Sequence, residues 1–261
     1  MSTTLHEAEV PWFSFPSLDE TGVVRHAFST RRGGVSPAPF DGLNLGLTTK
    51  DDETNVRQNR RRFETATGLS LVDSVGLAHG NQVHYATGAV PTEGLPLADA
   101  VVTDVPGVPL TLYYADCCPV FILDPSRRCV GLVHAGWRGT VADVSGATVR
   151  SMVEWFGAVP TSCLAGVGSS IGPCCFEVDW DVAGEVLARY PQWEDLVRKL
   201  SNKWTVDLWE LNARLLERSG IPRHRIAVSR LCTACRPDLF FSFRRDRRNT
   251  GRLASTCVLT S

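Results

Sequence analysis

The sequence predicts a mixed α/β (α+β) protein. It reads as a single-domain sandwich of mixed β-sheets flanked by helices, spanning 1–261 with 1–22 as an N-terminal lead-in. Three observations point there. Apolar β-rich runs and amphipathic helical stretches interleave without the strict β-α-β alternation of a parallel sheet. Hydrophobic residues make up 43% and charged residues 21% of 261, an ordinary globular composition in a chain long enough to bury a substantial core. No Pro/Ser-rich linker, low-complexity run or repeat divides it.

Each element has a local reason. From Arg25, "RHAFSTRRGGVSPAPFDGLNLGL" reads as a short strand followed by a Gly/Pro-rich loop of functional length. "DDETNVRQNRRRFETATG" opens on acids, has helical spacing and closes on Gly68. "ADAVVTDVPGVPLTLYYADCCPVFILD" gives β-rich runs broken at Pro106–Gly107, and "CVGLVHAG" gives another. "TVADVSGATVRSMVEWFG" reads as a helix ending at Gly157, and "SCLAGVGSSIGP" as a buried strand stopped by a Gly-Pro turn. "DWDVAGEVLARY" and "LWELNARLLERSG" carry apolar residues three and four apart, so both are amphipathic helices. "RIAVSRLC" and "RLASTCVLT" close the chain as strands.

Charge and cysteine usage limit the function classes. A net charge of −1 supplies no global field for nucleic acid or an anionic membrane, and the apolar runs are too short to span a bilayer. The N-terminal residues lack a basic stretch followed by an apolar one. Nine cysteines, two pairs of them adjacent (117–118 and 174–175), fit a disulfide framework poorly, so the expected setting is a reducing cytoplasm.

The candidate chemistry starts at "GLVHAGWRGT", where an apolar strand ends in His134 and two glycines follow at once. Cys117 stands at a comparable strand end, 17 positions earlier, a spacing that suits neighbouring strands joined at "DPSRR". His84 follows "GNQV", with His79 as its rival; five apart, they face opposite sides of a strand, so that segment supplies one ligand at most. Two imidazoles and one thiolate would hold zinc with one position open to water, the catalytic pattern. Gly136 and Gly139 would then leave room for substrate, while Trp137 anchors the turn in the core. Cys232 and Cys235 form a lone CxxC without a second one at zinc-ribbon spacing, which reads as core or turn cysteines. A structural zinc would need a fourth ligand, for which Cys118 or Cys174 stand as candidates.

An ordered series of motifs covers nearly the whole chain: "FSTRRGGVS", "GLNLGL", "NQVH", "ADAVVT", "ADCCPV", "HAGWRGT", "IGPCCFEV", "VDLWELN" and "FFSFRRDRRNTGR". The chain resembles the YfiH-type family, whose members are called polyphenol oxidase or laccase-domain proteins and peptidoglycan editing factors. The resemblance implies a YfiH-like fold and a zinc held by His84, Cys117 and His134, choosing His84 over His79. Members usually carry glycine after that histidine; this chain has Tyr85, expected to reshape the pocket rim.

The resemblance also implies activity on purine nucleosides. Adenosine, inosine, guanosine or methylthioadenosine would be cleaved with phosphate, and adenosine deaminated. Zinc lowers the pKa of water towards neutrality, giving a hydroxide able to attack C6 of adenine. Phosphorolysis needs a cationic pocket, for which Arg32, Asn44 and Arg244 are the motif residues; Arg247 and Arg248 read as a solvated turn. Asp116, beside the cysteine ligand, is a candidate catalytic proton carrier or support for the ligand. The expected partners are purine nucleosides and phosphate, with no nucleic acid or membrane, for a monomer or homodimer. The alternatives are an amidase-type editing hydrolase of a cell-wall precursor with Cys117 as nucleophile and His134 as base, and a non-catalytic zinc scaffold. Copper is the lesser metal alternative, because a laccase needs many more paired imidazoles than six scattered histidines provide.

Overall fold

The computed structural model describes residues 3–88 and 94–261. The elements follow in the order β1 (Thr4–His6), β2 (Trp12–Ser14), α1 (Pro16–Asp19), β3 (Val24–Ser29), α2 (Glu53–Thr67), β4 (Val83–Tyr85), β5 (Ala100–Thr103), β6 (Leu110–Tyr114), β7 (Cys118–Asp124) and β8 (Cys129–Ala135). After these come α3 (Trp137–Val141), α4 (Val144–Phe156), β9 (Leu164–Val167), β10 (Glu177–Val178), α5 (Trp180–Arg189), β11 (Val197–Lys199), β12 (Trp204–Val206), α6 (Leu208–Arg218), β13 (Ile226–Val228) and β14 (Leu253–Leu259).

Two sheets make the sandwich: an antiparallel five-stranded one in the order β1-β2-β3-β14-β6 and a mixed six-stranded one in the order β13-β9-β7-β8-β5-β4, whose outer pairs β13·β9 and β5·β4 are parallel. Alternation along β7 explains why this hairpin is buried on both faces. Phe121 and Leu123 point between the sheets with Phe13, Phe28, Leu112 and Leu253. Val120 and Ile122 point the other way, into a core shared with Val149 and Met152 of α4 and Leu211 and Leu215 of α6. Fully burying such a side chain contributes about 1.5–3 kcal/mol, and every residue of β7 and β8 is buried, so the central hairpin contributes strongly to stability.

α2 covers the outer face of the five-stranded sheet through Phe63. Its start and stop agree with the sequence: the Asp52 side chain accepts from the Thr54 amide, and Gly68 closes the helix at φ +65°. The long loop before it is pinned by buried Asn59, whose Nδ2 donates to Ser36 Oγ and to the carbonyls of Gly42 and Asn44.

Three local expectations change. The lead-in contributes β1 and β2, which pair with each other and onto β3. The helix expected up to Gly157 starts at Val144, because Asp143 adopts φ +63° and separates it from short α3. The strand expected to run to the Gly-Pro turn ends at Val167, while β10, β11 and β12, short and weakly patterned, form a separate three-stranded sheet.

Candidate active site

β7 and β8 are an antiparallel hairpin in which Cys118 faces Ala135 and Pro119 faces His134. This register sets Cys117, one residue before β7, beside the end of β8, as the 17-residue spacing predicts. The third member of the cluster is His79, not His84. One donor atom each from His79, Cys117 and His134 lies within 4.8 Å of the others. The two imidazoles meet edge to face with centroids 5.1 Å apart.

His84 is excluded from the cluster by the sheet itself. It sits in the ladder of edge strand β4, in register with Val101, and β5 stands between β4 and β8. His79 lies in the turn before β4 at φ +58°, free of the ladder and able to fold over the sheet rim. The sequence holds a signal for it: His79 is followed by Gly80, as the histidine of the resembled family is by glycine, whereas His84 is followed by Tyr85. Tyr85 packs against Trp155 and Phe156 and donates to Asp104, away from the cavity wall.

Asp99, at the start of "ADAVVT", organises the cluster and was not singled out from sequence. It is fully buried. One carboxylate oxygen accepts from the His79 amide at 2.9 Å and lies 3.2 Å from His134 Nδ1. The other accepts from the Gly80 amide at 2.6 Å, and the Asp99 carbonyl accepts from the His134 amide at 2.7 Å. One acid thus holds the His79 turn through its backbone and the His134 ring directly, the latter as carboxylates behind metal-ligating imidazoles do.

The electrostatics favour a thiolate. Burial opposes charge on Cys117, but the adjoining His134 and His79 bring its pKa down to about 6. Burial likewise opposes charge on His134, yet Cys117 and Asp99 raise it to about 9. The thiol is therefore ready as a ligand, and a metal entering the site would displace the imidazolium proton. Two imidazoles, one thiolate and a carboxylate behind them suit zinc.

The two glycines make room for the cluster itself, and Gly136 also lines the cavity. A Cβ on Gly136 would lie 3.1 Å from Cys117 Sγ, 3.5 Å from His79 Cδ2 and 3.9 Å from His134 Cε1. A Cβ on Gly139 would lie 2.8 Å from the Gly80 carbonyl oxygen, so this glycine lets α3 approach the His79 turn. Gly136→Val is accordingly expected to lower zinc affinity by at least about tenfold, instead of only obstructing substrate. Metal titration of the variant measures this, and unchanged affinity would contradict the packing around Cys117. Trp137 is half-buried and forms part of the cavity wall, with the Arg138 guanidinium 4.4 Å from its ring centre, so it is more than a core anchor.

The cluster lies in the wall of a cavity of about 820 Å³, a volume suited to a small organic ligand. Arg138, Arg244, Arg247, Arg248 and Arg252 face it, and Trp137, Phe176 and Phe243 add aromatic surface. Arg247 and Arg248 are thus cavity residues, not merely a solvated turn. Arg244 is aimed by its neighbours: its amide donates to Asp116 Oδ2 at 2.7 Å, and its guanidinium donates to the Cys175 and Glu177 carbonyls.

The remaining expected residues take supporting places or none. Asp116 adopts φ +86°, and its carboxylate accepts from Thr233 Oγ1 at 2.6 Å and Ser242 Oγ at 3.1 Å as well as from Arg244. With both oxygens engaged it ties the Cys117 turn to the arginine segment. Asn44 is fully buried and accepts from the Arg252 amide at 2.8 Å, so it holds a cavity arginine without facing the cavity. Arg32 is half-exposed, 4.0 Å from Glu7, and is not part of the cavity wall.

A family model described as "Multi-copper polyphenol oxidoreductase laccase" matches residues 25–260. A Deinococcus radiodurans protein named purine nucleoside phosphorylase is 40% identical over 247 residues, covering 94% of this chain and 91% of its own. The Bacillus subtilis purine nucleoside phosphorylase YlmD is 37% identical over 239 residues, 87% of this chain and 86% of its own. The crystal structure of Bacillus licheniformis hypothetical protein YfiH superposes with a TM-score of 0.89 at 33% identity, covering 98% of this chain and 99% of that one. The mixed-sheet, YfiH-like fold follows from that superposition. No helix among the described residues is long and apolar enough to cross a membrane.

Proposed function

The chain belongs to the family described as multi-copper polyphenol oxidoreductase laccases, and we propose that it is a zinc-dependent purine nucleoside phosphorylase that also deaminates adenosine. The observation that carries this reading is the set of five arginines lining the cavity that also holds the His79–Cys117–His134 cluster. Relatives named purine nucleoside phosphorylase support the same substrate class. Adenosine, inosine, guanosine and methylthioadenosine are the proposed nucleosides. Bound by His79, Cys117 and His134, zinc would supply a Lewis acid and lower the pKa of water.

The chain's own residues divide the rest of the work. Guanidinium pairs hold phosphate in two-pronged hydrogen bonds and orient one oxygen toward C1′ of the ribose. Attack there breaks the bond from C1′ to the purine nitrogen, and the base leaves with the bond electrons and takes up a proton. Trp137, Phe176 and Phe243 offer faces against which the purine stacks and water is excluded. Asp116 is a positioning residue: it holds the Arg244 backbone and the Cys117 turn. The setting proposed is the cytoplasm.

Incubating the purified protein with guanosine or inosine, with and without phosphate, tests the reading. Free base and ribose 1-phosphate should form only when phosphate is present; phosphate-independent base release would overturn it. Arg244→Ala should raise the KM for phosphate by about 10- to 100-fold, the loss of one charge-assisted contact, while adenosine deamination changes little. An equal fall in both activities would make Arg244 a wall residue only.

A second reading rests on one observation. Cys117, His134 and Asp99 stand in the order nucleophile, base and orienting acid, as an amidase-type hydrolase requires. Chelation separates the two: it stops a zinc enzyme and spares a thiol nucleophile.

A further inference from the structure

Four cysteines outside the catalytic cluster converge on one point. Cys174 and Cys175 lie in the turn after Gly172–Pro173, and Cys232 and Cys235 in the turns that follow β13. All four sulfur atoms lie within 4.8 Å of one another, and Cys235 Sγ is 3.4 Å from both Cys174 Sγ and Cys175 Sγ. Sequence spacing argued against a zinc ribbon because a second CxxC is missing. The fold supplies the second pair as adjacent cysteines from a different loop.

We propose that these four thiols are a second metal site, a structural four-cysteine centre for zinc or a similar thiophilic divalent ion. Zn–S bonds of about 2.3 Å in a tetrahedron place sulfurs roughly 3.8 Å apart, a separation the cluster meets with small side-chain shifts. The Gly172 amide already donates to Cys232 Sγ at 3.3 Å, the kind of backbone support that thiolate ligands receive. Cys174 and Cys235 are exposed, so an ion has a direct route in. On binding, the ion replaces four thiol protons, which pass to solvent, and the centre carries a net charge of about −2. Arg245 donates to the Thr233 and Ala234 carbonyls and Arg244 to those of Cys175 and Glu177, so two cations attach to the same turns.

The placement gives the centre a task. It clips the turn that carries Ile171 and Phe176 of the cavity wall to the segment whose Thr233 holds Asp116. Losing the clip would loosen Arg244, whose guanidinium rests on carbonyls of that first turn. The proposal stands on the four sulfurs alone and does not depend on the phosphorylase reading.

Metal analysis of the full-length protein, loaded with zinc and passed over a desalting column, provides the test. Wild type should hold about two zinc ions per chain, and His134→Ala and Cys235→Ser about one each. Should Cys235→Ser fold poorly, cobalt loaded into His134→Ala should give the intense thiolate-to-cobalt absorption of a four-sulfur site. Zinc content unaltered in Cys235→Ser, His134→Ala free of metal, or a disulfide among these cysteines in the zinc-loaded protein would each overturn the proposal.

Discussion

His79→Ala is expected to cut zinc affinity and nucleoside turnover by at least about 100-fold, while His84→Ala leaves both within about twofold. The asymmetry follows from position. His79 places a donor atom within 4.8 Å of those of Cys117 and His134. His84 belongs to the β4–β5 ladder, with β5 between it and β8. Burial lowers the pKa of His84, so it is neutral at about pH 7 and its truncation on an edge strand removes no charge. Zinc analysis and turnover of both variants check the pair. Metal loss in His84→Ala with retention in His79→Ala would reverse the assignment and require β4 to leave its sheet.

Asp99→Ala is expected to be the most damaging single change outside the cluster itself. It leaves the His79 and Gly80 amides without their acceptor and frees His134 Nδ1, in a place with no solvent access at the carboxylate. A fully buried orphaned donor costs about 1–3 kcal/mol; the His134 contact is buried and the two amides are part-buried, so a loss of about 2–4 kcal/mol in stability is expected. Zinc affinity should fall by a further 10- to 100-fold, roughly, because the His134 ring loses its partner and the His79 turn its anchor. Asp99→Asn keeps the volume and one acceptor oxygen, so it should regain part of the stability but little of the metal affinity. Denaturant unfolding of zinc-free protein beside metal titration separates the two effects. A stable Asp99→Ala protein with normal zinc affinity would remove Asp99 from the site.

Much of the frame was legible because local signals and burial agree. The α2 boundaries follow from a capping aspartate and a closing glycine, and the β7–β8 hairpin from two apolar runs and a short turn. That hairpin is why Cys117 and His134 could be paired from spacing alone: once two strands are neighbours, residues equally far from the connecting turn must meet. The small sheet of β10, β11 and β12 was missed because two- and three-residue strands carry no periodicity to detect.

The site was only partly legible, and the failures share a cause. Arg32 and Arg244 look alike as loop arginines, yet Arg244 is turned to the cavity by Asp116 and two carbonyls while Arg32 rests near Glu7 in solvent. Asn44 reads as a ligand-binding amide and is instead the acceptor for the Arg252 amide, across 208 positions of sequence.

From the chain by itself came the mixed-sheet fold, two of the three clustered residues and the glycines that surround them. These depend on hydrophobic alternation, capping and short-range strand pairing, all of which act over a few residues. Tertiary structure decided which histidine completes the cluster, that Asp99 holds the His134 ring and the His79 backbone, which arginines face the cavity, and that four cysteines from two loops meet. Each of those turns on how a loop crosses the rim of a sheet. Backbone turns at His79 and Asp116, held at positive φ by hydrogen bonds from distant segments, set that crossing, and such bonds leave no periodic trace in the sequence.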